Sequence, residues 1–166
     1  MIKNRSTKIW ISVIALVAAV TGGGVAAAGN RSAHQLAVAG SDPTTFTVVE
    51  RAISDVVVYV NPIEDDVVGN TLGFGNPLYN AKNTEKVGRD QGFCYRTNPG
   101  KSWECTWTNV LPEGRITVQG VFPDSLADSK MAITGGTGAY KEARGYMLLH
   151  SRNDLGTEFD FTFYIR

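Results

Sequence analysis

The sequence predicts an all-β domain, a sandwich or barrel of short antiparallel strands. Three observations carry this. Runs of β-branched and aromatic residues recur at close spacing from Thr44 to the C-terminus, each ended by turn residues. The last run alternates: Phe159, Phe161, Phe163 and Ile165 share one face, and Asp160, Thr162 and Tyr164 the other. No window beyond the first 28 residues repeats with a helical period.

The elements follow in order. Thr45–Glu50 and Asp55–Val60 are β-branched runs separated by Arg51–Ser54, and Gly69–Phe74 is a weaker strand. Val87–Thr97, Trp103–Val110, Arg115–Val121 and Lys130–Thr134 come next; Tyr140–Ser151 and Thr157–Ile165 close the chain. The turns between them are Asn61-Pro62, Asn98-Pro99-Gly100, Pro112-Glu113-Gly114, Gly135-Gly136-Thr137-Gly138 and Asn153-Asp154-Leu155-Gly156. Strand periodicity does not choose between sandwich and barrel. There is no internal repeat and no second domain.

Residues 1–28 read as a signal peptide. Lys3, Arg5 and Lys8 precede the apolar run Ile9–Val20, and Val25-Ala26-Ala27-Ala28 suits signal peptidase. The run is short for a membrane span, which needs about 20 apolar residues. Cleavage would leave 13 basic and 16 acidic residues, a net charge of −3. That excludes an electrostatic footprint for nucleic acid or an anionic membrane. Residues 29–42 read as a flexible lead-in and 43–166 as the folded domain. The protein is then secreted, with no membrane association after cleavage. Hydrophobic residues make up 43% of the 166 and charged residues 19%, a globular balance.

Cys94 and Cys105 are symmetric about the Pro99-Gly100 turn, so a regular hairpin sets them opposite each other. Export favours a disulfide between them. The alternative is a pair of reduced buried thiols, and a one-residue bulge would break the register.

Three stretches carry a family resemblance. Val87-Gly88-Arg89-Asp90-Gln91-Gly92-Phe93 resembles a strand of plant dirigent proteins. Ile116-Thr117-Val118-Gln119-Gly120 is similar to a strand of allene oxide cyclases. Ala132–Tyr140 followed by Ala143-Arg144-Gly145 resembles segments of both. Order and spacing agree from about Leu72 to the C-terminus. The resemblance implies an eight-stranded antiparallel β-barrel around an apolar cavity, commonly a homotrimer. It also implies a small hydrophobic or phenolic ligand, with cyclisation, isomerisation or stereoselective coupling steered by positioning and without a cofactor. A non-catalytic carrier is the second hypothesis, and a structural protein with a side-chain-filled barrel the third.

The resemblance also supplies candidate residues. Asn76, in Phe74-Gly75-Asn76-Pro77-Leu78-Tyr79, matches a cyclase Asn that helps hold a water at the substrate; its plain alternative is an Asn-Pro turn. Arg89 and Arg144 lie in the dirigent-like motifs and would bind a carboxylate or phenolate if they point inward. Phe74, Tyr79, Tyr95 and Phe122 are candidate cavity wall, and Phe122 stands where the cyclases carry a Tyr. Cys94 matches a cavity Cys of the cyclases, a role that a bridge to Cys105 converts to a staple. The cyclase glutamate has Val60 as its nearest equivalent, with Glu64, Asp65 and Asp66 in the following loop. These departures argue against strict allene oxide cyclase activity. No metal set is present, since His34 and His150 are the only histidines and lack ligand spacing. The glycine motif at 135–138 lacks the Lys-Ser/Thr of a phosphate loop and reads as a tight turn with positive φ.

Overall fold

The computed structural model describes residues 43–61, 63 and 65–166. The signal-peptide and lead-in expectations fall on residues 1–42, outside the described residues. Ten strands form: β1 (Thr44–Arg51), β2 (Val56–Val58), β3 (Thr71–Phe74), β4 (Pro77–Asn80), β5 (Lys86–Asn98), β6 (Ser102–Leu111), β7 (Gly114–Pro123), β8 (Ser129–Gly138), β9 (Gly145–Ser151) and β10 (Glu158–Ile165). No described helix is long and apolar enough to cross a membrane.

Every pairing is antiparallel. The order runs β2-β3-β5-β4-β1-β10-β9-β8-β7-β6, and a further β5–β6 pairing closes the ring. The closed object is an eight-stranded barrel, because two of its staves are broken. β3 and β4 both pair with β5, and β2 and β1 pair with β3 and β4 in turn. The breaks, residues 52–55 and Gly75-Asn76, lie side by side. Closure removes the exposed sheet edges that an open sheet of this size would leave.

Alternation fills the barrel. β6 buries Trp103, Cys105, Trp107, Asn109 and Leu111 and turns the residues between them outward. β10 buries Phe159, Phe161 and Phe163. Phe163 stacks on Phe46 at 4.9 Å, and Leu78, Ile116, Val118, Met131 and Met147 pack the same interior without exposure.

Four sequence expectations shift. β4 was missed, because Pro77 hides a four-residue strand. Asp55–Val60 contracts to Val56–Val58. Tyr140–Arg144 is turn, and β9 starts only at Gly145. The glycine motif is not a turn: residues 135–137 continue β8 opposite β7, and only Gly138 has positive φ, +62°. A Cβ on Gly136 would collide with the carbonyl oxygens of Tyr140 and Arg115, so this glycine permits close backbone approach.

The cysteines do pair: Cys94 and Cys105 form a disulfide with Cα atoms 4.0 Å apart. A bulge exists, but it falls between Arg96 and Asn98, on the turn side of Cys94. From Arg96↔Trp103 to Arg89↔Val110 the register is unbroken.

Candidate functional site

An apolar cavity of about 180 Å³ opens in the barrel. Leu72, Phe74, Trp107, Phe122, Phe159 and Phe161 wall it, and the Cys94–Cys105 bridge forms part of the same wall. Leu126, Leu155 and Gly156 line its mouth, where Leu155 is 83% exposed. Two charged residues line it, Glu50 and Asp55.

Glu50 reaches the interior by simple alternation. Phe46 and Val48 face the core, so Glu50 does too, and it is buried at the end of β1. Asp90 arrives the same way, two residues before Gly92 and four before Cys94 on β5, and is fully buried. Asn76 sits in the break between β3 and β4 and joins the two acids. Its Nδ2 donates to Glu50 Oε1 and to Asp55 Oδ1, both at 2.9 Å. Its backbone N–H donates to Asp90 Oδ1 at 2.9 Å, and the Asp90 N–H donates back to its carbonyl at 2.9 Å. Its Oδ1 accepts from the Ile53 and Ser54 N–H groups and the Ser54 hydroxyl, each at 3.0 Å. The side-chain amide of Asn76 thus satisfies the backbone of the 52–55 break and holds two carboxyl groups, and its backbone N–H holds a third.

Glu50 and Asp90 are both buried, and two neighbouring carboxyl groups do not both ionise readily in a low-dielectric interior. Burial, then the Asp90 charge, holds the Glu50 carboxyl well above the usual carboxylate range; the Asn76 amide pulls the other way. Asp90 is raised to about 6, chiefly by burial, while its hydrogen bond with Glu50 lowers it. The directions agree on one arrangement: Glu50 carries the proton and donates it to Asp90. Asp90 Oδ2 is a buried oxygen without another partner, and so is open to accept such a proton. The pair titrates as a unit.

The other sequence candidates separate cleanly. Phe74 and Phe122 line the cavity, and Phe122 meets Phe159 edge-on at 5.9 Å. Asn76 stands directly behind the lining acids. Tyr79 turns outward beneath the Arg51 guanidinium, 3.8 Å from its ring centroid, and Tyr95 is half-exposed against Phe93. Arg89 is exposed and hydrogen-bonded to Gln91; Arg144 is exposed and bonded to the carbonyl of Ala143. Neither arginine lines the cavity. Period two accounts for this, since β5 cannot send Asp90 and Cys94 inward together with Arg89 and Tyr95. The buried arginine is Arg96. It stacks on Trp103 at 3.9 Å and is paired with Asp66 and Asp124, so it ties two loops to the β5–β6 hairpin. Val60 is exposed and does not line the cavity, whereas Glu50 on β1 does. Asp65 and Asp66 do not line the cavity; Glu64 lies outside the described residues. Among the described residues, no group of His, Cys, Asp and Glu is arranged to hold a metal.

A family model, that of the dirigent-like proteins, matches residues 32–164. The chain belongs to the dirigent-like family. Solved structures agree on the barrel. This dirigent-like chain is similar to a pyocyanin demethylase at 26% identity and a TM-score of 0.59, over 71% of this chain and 98% of that one. It is similar to the pterocarpan synthase dirigent protein PsPTS1 at 20% identity and a TM-score of 0.62, over 74% and 94%. It also matches the intermolecular Diels-Alderase AbnU at 13% identity and a TM-score of 0.58, over 75% and 98%. The last two likenesses speak to fold alone. No protein of curated function matches the sequence.

Proposed function

We propose that this dirigent-like barrel takes a small, neutral, apolar or phenolic ligand into its cavity and steers its cyclisation, isomerisation or coupling, with Glu50 as the proton donor and no cofactor. The observation that carries this is a buried glutamate, its carboxyl held well above the usual range by burial, in a wall that is aromatic and aliphatic apart from Asp55. Such an acid can protonate a carbonyl, epoxide or quinone-methide oxygen without water competing for it. Asn76 is the positioning residue: it orients Glu50 and Asp55 without lining the cavity. A cavity near 150 Å³ accommodates a benzene-sized molecule, so about 180 Å³ suits one ring, with a longer ligand extending through the mouth. The name of one similar structure, a pyocyanin demethylase, is consistent with a small-molecule ligand.

The carrier reading differs in one respect: it gives Glu50 no work. Wild-type protein and Glu50→Gln are each incubated with the methyl ester of an unsaturated fatty-acid epoxide and with a phenoxy-radical mixture, and product chirality is read. Chiral product from wild type and racemic product from the variant is the expected result. Racemic product from both, with ligand still bound, leaves the carrier.

Export through the 1–28 segment is part of the proposal and is supported by the disulfide. Self-association, as a homotrimer, is supported by an exposed apolar strip on the outer face, formed by Val56, Val58, Phe93, Tyr95 and Val121 on neighbouring strands. Tyr95→Glu should give monomer in sedimentation while leaving the cavity intact.

A further inference from the structure

The Cys94–Cys105 bridge is more than a tie between β5 and β6. Both half-cystines point inward, are only 2% exposed, and form wall beside Leu72, Phe74, Trp107 and Phe122. On the outer face the neighbouring positions carry Phe93, Tyr95, Glu104 and Thr106, so the sulfurs are turned away from bulk solvent. The next inward residue on β5, Arg96, lies over Trp103 and is held by Asp66 and Asp124. A reagent bound for these sulfurs therefore travels through the cavity, past Leu126 and Leu155.

We propose that the Cys94–Cys105 disulfide is a reactive wall of the ligand cavity, which captures small, neutral, apolar thiols as mixed disulfides. In the exchange, the sulfur of the incoming thiol bonds to one half-cystine sulfur and the Cys94–Cys105 bond breaks. The proton of the incoming thiol ends on the released cysteine. A second molecule of the same thiol can then leave as its symmetric disulfide, with the protein as the dithiol. Exchange rate depends on access as well as on the thiol's own chemistry. Access here is chemically selective. The walls are aromatic and aliphatic, and the charged residues that line the cavity, Glu50 and Asp55, are acids. An apolar thiol is concentrated by this wall, and an anionic hydrophilic thiol meets no cation in it.

The inference rests on the cavity admitting a ligand, and the test separates the two. The oxidised wild-type protein, native and in denaturant, is mixed with benzyl mercaptan or with glutathione. Intact mass follows the adduct, which gains the full mass of the thiol. The native rate divided by the denatured rate cancels intrinsic thiol reactivity. That ratio should be at least tenfold larger for benzyl mercaptan than for glutathione. Equal ratios overturn the proposal, because the bridge is then an unselective staple. Benzyl methyl sulfide, which lacks the S–H, serves as the non-reactive probe, with binding read by ligand-detected NMR. If it binds and slows capture, both readings stand. If it binds and no capture occurs, the reactive wall falls and the ligand cavity survives. If it neither binds nor protects and no adduct forms, both fall for ligands of this class.

Discussion

Replacing Asn76 with Ala tests whether one amide organises both the 52–55 break and the acids. The side chain is 1% exposed and makes five hydrogen bonds, three through Oδ1 and two through Nδ2. Alanine leaves the Ile53 and Ser54 N–H groups without their acceptor. Both residues are near solvent, so water recovers part of that loss, and about 1 kcal/mol is a fair net figure. Glu50 is different. It is buried, and losing its donor costs about 1–2 kcal/mol. With a small cavity term, the expected loss is about 3 kcal/mol, or roughly 10 °C in Tm for a domain of this size. Urea melts at neutral pH with the disulfide intact measure it. Asn76→Asp is the companion variant: it adds a fourth carboxyl to the cluster, so it should be worse than Ala at pH 7 and recover on acidification. A loss below about 1 kcal/mol for Asn76→Ala, or no pH-dependent recovery for Asn76→Asp, refutes the assignment.

The acid pair predicts an unusual pH dependence. Asp90 rises from 3.8 to about 6 on folding and Glu50 also rises, so the folded state holds more protons than the unfolded chain between those limits. Stability should then fall as pH increases from about 4 through 6, and Glu50→Gln should flatten the slope; thermal melts across that range that rise with pH contradict it. Arg89→Ala and Arg144→Ala should leave ligand affinity within about twofold, since both side chains are outside the barrel; calorimetric titration with the ligand found for wild type decides. Gly135→Ala should be nearly neutral because its Cβ meets nothing within 4 Å, whereas Gly136→Ala should cost at least about 2 kcal/mol by denaturant melt, given its contact with two carbonyl oxygens.

The barrel was legible because strand alternation and turn residues survive in every long strand, β5 through β7 and β10 above all. The two short pairs at the breaks were harder. β4 contains a proline, and β2 keeps only three paired residues, so neither has length enough to show a period. The site was half legible. Asn76 and the disulfide came from motif and symmetry. Glu50 was missed although its signal was present: alternation through Phe46 and Val48 puts a carboxyl on the apolar face of β1. Asp90 was equally readable, because an inward Cys94 fixes every second residue of β5. The same rule sends Arg89 and Tyr95 outward. The motif runs through both faces of β5, and only the strand period separates its inward residues from its outward ones.

The cluster also bears on whether this barrel is only a scaffold. Burial raises both Glu50 and Asp90, and raised acids subtract from stability at neutral pH. Apolar residues at these inward positions would pack the barrel and close the breaks at less expense. A chain that only needed a solid core has no use for a protonated glutamate beside an open aromatic cavity. Departures from local stability rules concentrate at functional sites. Here the departure, the cavity and the two broken staves coincide at one amide. The breaks are what admit the acids: an unbroken stave at 75–76 would keep the Asn76 backbone in the ladder and leave Asp90 without the N–H that helps hold it ionised. The irregular backbone therefore sets the burial and hydrogen bonding of the two acids, and the outward arginines of the family motif lie outside that cluster.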